Sequence, residues 1–196
     1  IFTNSHNMKL TAEPPADMAG LIAWIKASQP KAWEAIDKSH GTAAPKVIAE
    51  RLRKALDAQG TLAVLRNGFD LIGLKQALAM CQFKPALAMN ADLQFRYAAN
   101  RLRVVRQVRY SVHHENCFDL VLFVNGIPVA TAELKSQYTQ GIQDAIYQYQ
   151  TDREPLFKPK NAPEPLLAFP GGALVHFAVS NAEAAMTTRL AGLDTV

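Results

Sequence analysis

Cysteine is scarce in this chain, and the two present, Cys81 and Cys117, form no CxxC pair and have no His-rich set around them. That argues against a disulfide scaffold or a zinc site and leaves free, buried thiols in a reducing compartment as the expectation. Long apolar runs are missing too. No segment has the length of a membrane span, and the first residues lack a signal peptide's charged-then-apolar pattern. No GxxxxGK[ST] sequence occurs, so a phosphate loop for ATP is not expected in this chain. Charge is modest: 19% of the 196 residues are charged, with 21 Lys and Arg against 17 Asp and Glu. That surplus permits an anionic partner without specifying one. With 49% hydrophobic residues, the composition predicts a single cytoplasmic globular domain with a well-buried core.

What is present centres on Phe118 to Lys135, FDLVLFVNGIPVATAELK. Asn125-Gly126 between two runs rich in β-branched and aromatic residues predicts a hairpin. Asp is poorly suited to a strand, so Asp119 inside an apolar run calls for a reason. Glu133 and Lys135 stand two apart and share one face of the second strand. With a plain two-residue loop Asp119 would oppose Ala132. A three-residue loop or one β-bulge shifts the register by one and brings Asp119 to the side of Glu133, and such an odd register is predicted.

Two carboxylates and an ammonium converging at the end of a hairpin suit a hard divalent cation such as Mg²⁺, which takes one or two carboxylates and fills the rest of its octahedron with water and phosphate. The chemistry this supports is phosphodiester hydrolysis, with Lys135 orienting the attacking water or offsetting charge on phosphorus oxygens. The spacing alone leaves a second reading open, in which Glu133 and Lys135 are a surface pair and Asp119 merely ends a strand.

Asp119, Glu133 and Lys135 read as a PD-(D/E)xK motif. Together with NRLRVVRQVRYS before it and AIYQYQTDREP after it, the stretch resembles the amino-terminal nuclease region of the R subunit of type I restriction enzymes, with similarity from about Leu21 to the end of the chain. The proline that opens the motif is replaced by Phe118. The resemblance implies an α/β fold, a mixed β-sheet flanked by helices with a restriction-endonuclease-like core over residues 91–196 and an N-terminal helical region over 1–90. It implies that Asp119, Glu133 and the Leu134 backbone carbonyl hold Mg²⁺, with Mn²⁺ as substitute, and that Lys135 acts on the water. Gln143 and Tyr147, four apart on one helical face, match the QxxxY motif that follows the lysine. The expected partners are double-stranded DNA, the M (methyltransferase) and S (specificity) subunits, and the ATP-driven translocase domains of the same polypeptide. This piece, expected to be excised from that longer subunit, binds no ATP itself. The rival readings are a docking or regulatory module of the translocase that does not cleave, and a repair nuclease of the same superfamily.

Elsewhere the sequence predicts helices over 14–26, 30–38, 45–59, 90–99 and 140–152, and strands over 101–111, 117–124, 127–135 and 173–180, with an edge strand at 186–190. Residues 1–13 read as a loose lead-in, with Glu13 too uncertain to nominate as a further ligand, and 74–80 reads as helical. Trp24 and Trp33 fit a core better than a stacking platform. Arg101, Arg103, Arg106 and Arg109 form either a phosphate-contacting surface or a solvated strand face, and their mixed parity means they cannot all meet DNA. His113 and His114 are poor candidates for Mg²⁺ ligands, and His176 reads as a satisfied core histidine. The Pro- and Gly-rich stretch 153–172 predicts a long surface loop whose Lys158 and Lys160 either reach DNA or, as is commoner for loop lysines, are simply solvated.

Overall fold

A computed structural model of the chain describes residues 2–6, 8, 16–87, 89–136 and 141–195. Its first half is helical: α1 (Met18–Ser28), α2 (Pro30–His40), α3 (Ala44–Gln59) and α4 (Thr61–Asn67) follow one another with short breaks. The breaks are local chemistry. Asp17 caps α1 by accepting from the Gly20 N–H at 3.1 Å. Pro30 occupies the first position of α2, where no hydrogen bond is lost. Gly60, at φ 82°, ends α3. A short α5 (Ala91–Ala98) follows, capped by Asn90.

The second half, joined by one strand from the start of the chain, builds the sheet. Its strands are β1 (Phe2–His6), β2 (Leu102–Arg109), β3 (Cys117–Val124), β4 (Ile127–Leu134), β7 (Val175–Val179) and β8 (Ala184–Thr187), in the order β1-β2-β3-β4-β7-β8. The β1–β2 and β4–β7 pairs are parallel; β2–β3, β3–β4 and β7–β8 are antiparallel. Between β4 and β7 the chain passes through α6 (Ile142–Thr151) and a two-stranded ribbon of β5 (Leu156–Phe157) and β6 (Ala162–Pro163). The architecture is a mixed sheet flanked by helices.

Two apolar clusters hold the sheet in place. The helical body packs Leu21, Trp24, Ile25, Ile48, Leu52 and Val64 with Ile127 at the turn end of the hairpin. The other cluster joins Val105, Val108, Phe118, Val121 and Phe123 to Tyr149 of α6 and Leu166. At about 1.5–3 kcal/mol for each large side chain fully buried, these clusters dominate the favourable side of folding. Trp24 lies in the core, while Trp33 packs at its margin beneath Lys26, whose Nζ is 4.4 Å from the ring centroid.

Several elements differ from the sequence expectation. Phe2–His6, read as a lead-in, pairs in parallel with β2 as an edge strand, its conformation set by the neighbouring ladder rather than by any alternation of its own. Residues 74–80, read as helical, are irregular because tertiary partners claim the backbone. Leu78 exchanges hydrogen bonds with Phe69 at 2.8 and 3.2 Å, and the Gln29 side chain bonds both the N–H and the C=O of Ala79 at 3.0 Å. The last strand lies at Ala184–Thr187, earlier than 186–190. The 153–172 stretch contains the β5–β6 ribbon. The expected helix starts at Pro14 and Gln140, and Glu13, lie outside the described residues.

Candidate active site at the mouth of the hairpin

The hairpin register decides what converges. Asn125 (φ 51°) and Gly126 (φ 87°) make the two-residue turn, with Val124 opposite Ile127. The register then shifts between Leu122 and Phe123: Phe123 pairs with Pro128 but Leu122 pairs with Ala130, so Val129 is the extra residue of a β-bulge. From there Leu120 opposes Ala132, and one step further along the same ladder sets Asp119 opposite Glu133. The turn itself is pinned, since the buried Asn125 amide donates to the Met80 carbonyl at 3.0 Å and its oxygen accepts from the Arg101 N–H at 2.7 Å.

Asp119 is held from both sides. Its Oδ1 accepts from the Gln107 side-chain amide on β2 at 3.1 Å, and its Oδ2 accepts from the Leu134 N–H on β4 at 2.8 Å. A strand residue turns its N–H and C=O to the same neighbour, so the Leu134 carbonyl emerges on the Asp119 side of β4. The next residue's N–H, that of Lys135, points the other way and bonds the Val179 carbonyl at 2.8 Å. Lys135 is half-buried, and by alternation its side chain is on the face of Glu133.

Glu133 is 3% exposed and its Oε1 takes two donors from Arg153, Nε at 2.8 Å and Nη2 at 2.7 Å. Arg153 is 6% exposed. It packs its guanidinium 5.1 Å from the Phe118 ring centroid and 5.8 Å from that of Tyr110, and donates to the Cys117 carbonyl at 3.1 Å. Burial raises the Glu133 carboxyl to about 7; Arg153 opposes that rise, while the adjoining Asp119 adds to it through its charge and a hydrogen bond. Burial works against the charge on Arg153, but Glu133 and Tyr110 together outweigh it and the guanidinium is raised. What the guanidinium does not offset is the burial itself, to which Asp119 adds the smaller part.

Behind Glu133 on the same strand, Thr131 Oγ1 meets Tyr149 Oη at 2.9 Å and His176 Nδ1 at 2.8 Å. Burial raises Tyr149 and lowers His176 to about 4, so both stay neutral. Gln143 and Tyr147 lie on the exposed side of α6, while Ile142, Ala145 and Tyr149 face the sheet. Arg101 and Arg106 are exposed, Arg109 pairs with Glu115 at 3.0 Å, and Arg103 is paired with Asp17 next to the hairpin turn. Lys158 pairs with Glu154 and Lys160 is exposed. His113 stacks on Phe157 with centroids 4.5 Å apart, and His114 lies 3.6 Å from the buried Glu164. Among the described residues no His, Cys, Asp or Glu makes a third with the two carboxylates.

Sequence reasoning missed Arg153 and Gln107. Nothing in the spacing connects a lone arginine at the head of a Pro-rich loop to Glu133, 20 positions earlier. Gln107 carried a signal, being an amide in a strand otherwise made of Leu, Val and Arg.

The family model for the type I restriction enzyme R protein N terminus matches residues 30–195. The chain belongs to this family. Its mixed sheet, flanked by helices, is the restriction-endonuclease-like core of an R-protein N-terminal domain. The R protein places the chain in a DNA restriction complex. No curated protein and no solved structure gives a match. Among the described residues no helix is long and apolar enough to cross a membrane.

Proposed function

We propose that this R-protein N-terminal domain is a Mg²⁺-dependent endodeoxyribonuclease of the cytoplasm, cutting unmodified double-stranded DNA after ATP-driven translocation by the rest of the subunit. The observation that carries the reading is the convergence of Asp119, Glu133 and the carbonyl edge of Leu134 at the mouth of one hairpin, with Lys135 next in line. The donor set fits a hard cation: all its atoms are oxygens, two of the groups are adjoining carboxylates, and the third is a backbone carbonyl. Asp119, Glu133 and the Leu134 carbonyl would hold the ion. When bound, Mg²⁺ makes a water easier to deprotonate and neutralises charge on the phosphate.

The chain's own residues do the rest. Arg153 fixes the Glu133 side chain from within the protein. Lys135 orients the attacking water toward phosphorus and supplies positive charge where negative charge develops in the transition state. Exposed Arg101, Arg106 and Lys160 contact phosphates without reading sequence, so binding to DNA is weak and salt-dependent. Gln143 and Tyr147 present a polar face of α6 to the duplex.

The test is Lys135→Ala and Asp119→Ala in the intact R subunit assembled with its M and S partners. Loss of cleavage with ATP turnover unchanged is the expected result. ATP turnover that falls along with cleavage favours a docking or regulatory module instead.

A further inference from the structure

Gln107 sits in the middle of β2 with φ 53°, in the left-handed region that residues other than glycine rarely enter and that a strand does not call for. The β2–β3 ladder runs through Arg106↔Leu120 and Val108↔Phe118 but skips the step between them, the step that would pair Gln107 with Asp119. The backbone has left its ladder at the residue facing the candidate metal ligand. Unfavourable backbone of this kind persists where its surroundings over-determine it, and it clusters at functional sites.

Its surroundings show what the distortion achieves. The Cys117 thiol donates to Gln107 Oε1 at 3.1 Å, and Gln107 Nε2 donates to Asp119 Oδ1, also at 3.1 Å. A thiol is a donor to the amide oxygen and a carboxylate is only an acceptor, so the amide can satisfy both in one orientation alone. Asp119 is thereby bonded from β2 through Oδ1 and from β4 through Oδ2, and the plane of its carboxylate is fixed by donors on the two strands that flank it.

We infer that Gln107 is a positioning residue for the metal site: it aims the Asp119 carboxylate by a hydrogen bond that its left-handed backbone makes possible. This rests on the metal-site reading above. Outer partners that orient a ligand typically account for ten- to a hundredfold in metal affinity, about the size expected here.

Glycine adopts φ 53° without steric cost, so Gln107→Gly removes the amide while relieving the backbone. Calorimetric titration of Mn²⁺ into the wild-type chain, Gln107→Gly and Asp119→Ala, with thermal melts of each, separates the cases. The expected result is a Gln107→Gly chain that melts within about 5 °C of wild type and binds Mn²⁺ at least about tenfold more weakly. Unchanged affinity in Gln107→Gly, alongside lost affinity in Asp119→Ala, overturns the role of Gln107 alone. A Gln107→Gly chain melting more than about 5 °C lower overturns it too, because Gln107 would then be holding the sheet together rather than aiming a ligand. Wild-type chain that takes up no Mn²⁺, or an Asp119→Ala chain that binds like wild type, overturns the metal site and this inference with it.

Discussion

Replacing Arg153 by methionine is the sharpest test of the interior of the site. The substitution keeps the apolar stem but removes the guanidinium from a pair whose members are 6% and 3% exposed. Deleting one partner of a buried ion pair costs about 3–5 kcal/mol, because the other charge is left behind unpaired. For a chain of this length that corresponds to roughly 6–20 °C in melting temperature. The cost should also depend on pH, and the sign follows from Glu133. Its folded pKa of about 7 lies above its unfolded value of 4.5. The folded state therefore binds more protons between those values, and stability falls as pH rises through that window, levelling off above it. Without Arg153 the chief influence lowering the carboxyl is gone, its pKa moves higher, and the decline continues past pH 7 at up to about 1.4 kcal/mol per unit. Urea unfolding in a chelator at pH 5.5, 7 and 8.5 measures this, with Glu133→Gln and the double variant completing the cycle. At pH 5.5 the substitution should cost little; at pH 8.5 it should cost most, and Glu133→Gln should rescue it. A cost that is flat with pH, or a double variant no more stable than Arg153→Met, would refute the argument and leave Arg153 as packing for Phe118 and Tyr110.

Two further outcomes follow from the same geometry. His176, lowered to about 4 from 6.5 by burial, binds fewer protons when folded, so its contribution to stability is lost as pH falls through that window. This is opposite in sign to Glu133, and the two nearly cancel between about 4.5 and 6.5. His176→Asn should therefore unmask a rise in stability, relative to wild type, of up to about 1.4 kcal/mol per unit as pH is lowered, seen in chemical denaturation at matched pH values. Gly126→Ala should destabilise by more than about 2 kcal/mol, since φ is 87° and the added Cβ would lie 2.3 Å from the Asp17 carbonyl oxygen. A melt within about 1 °C of wild type would show that the hairpin turn is not clamped against α1.

How far the sequence exposed this arrangement depended on whether a residue's neighbours were close in the chain. The hairpin was legible because Asn125-Gly126 sets its turn and because a carboxylate stranded in FDLVLFV makes sense only in a shifted register, which the Val129 bulge supplies. Helices α1, α2, α3 and α5 announced themselves through caps and apolar spacing, whereas α4 (Thr61–Asn67) was not among the predicted elements. The edge strand Phe2–His6 did not, because its form is imposed by β2, 100 residues away in register. Residues 74–80 have helical spacing, but their backbone is claimed by Phe69 and Gln29. At the site, Asp119, Glu133 and Lys135 were visible as a motif, whereas Arg153 and Gln107 act across strands and loops where no spacing rule applies. On α6 it is Tyr149, between two other polar residues, that faces the sheet, while Tyr147 faces outward.

The bulge at Val129 makes the hairpin's length matter more than most of its letters. Side chains in a strand alternate, so losing one residue between Phe123 and Ala130 would straighten the ladder and exchange the faces of everything downstream. Leu134 would swing inward toward Arg153, and the acid at 133 would swing out to solvent. Many substitutions along this stretch leave that parity untouched. A codon deleted in frame does not, and it would disarm the domain while leaving every member of the motif in the translated sequence.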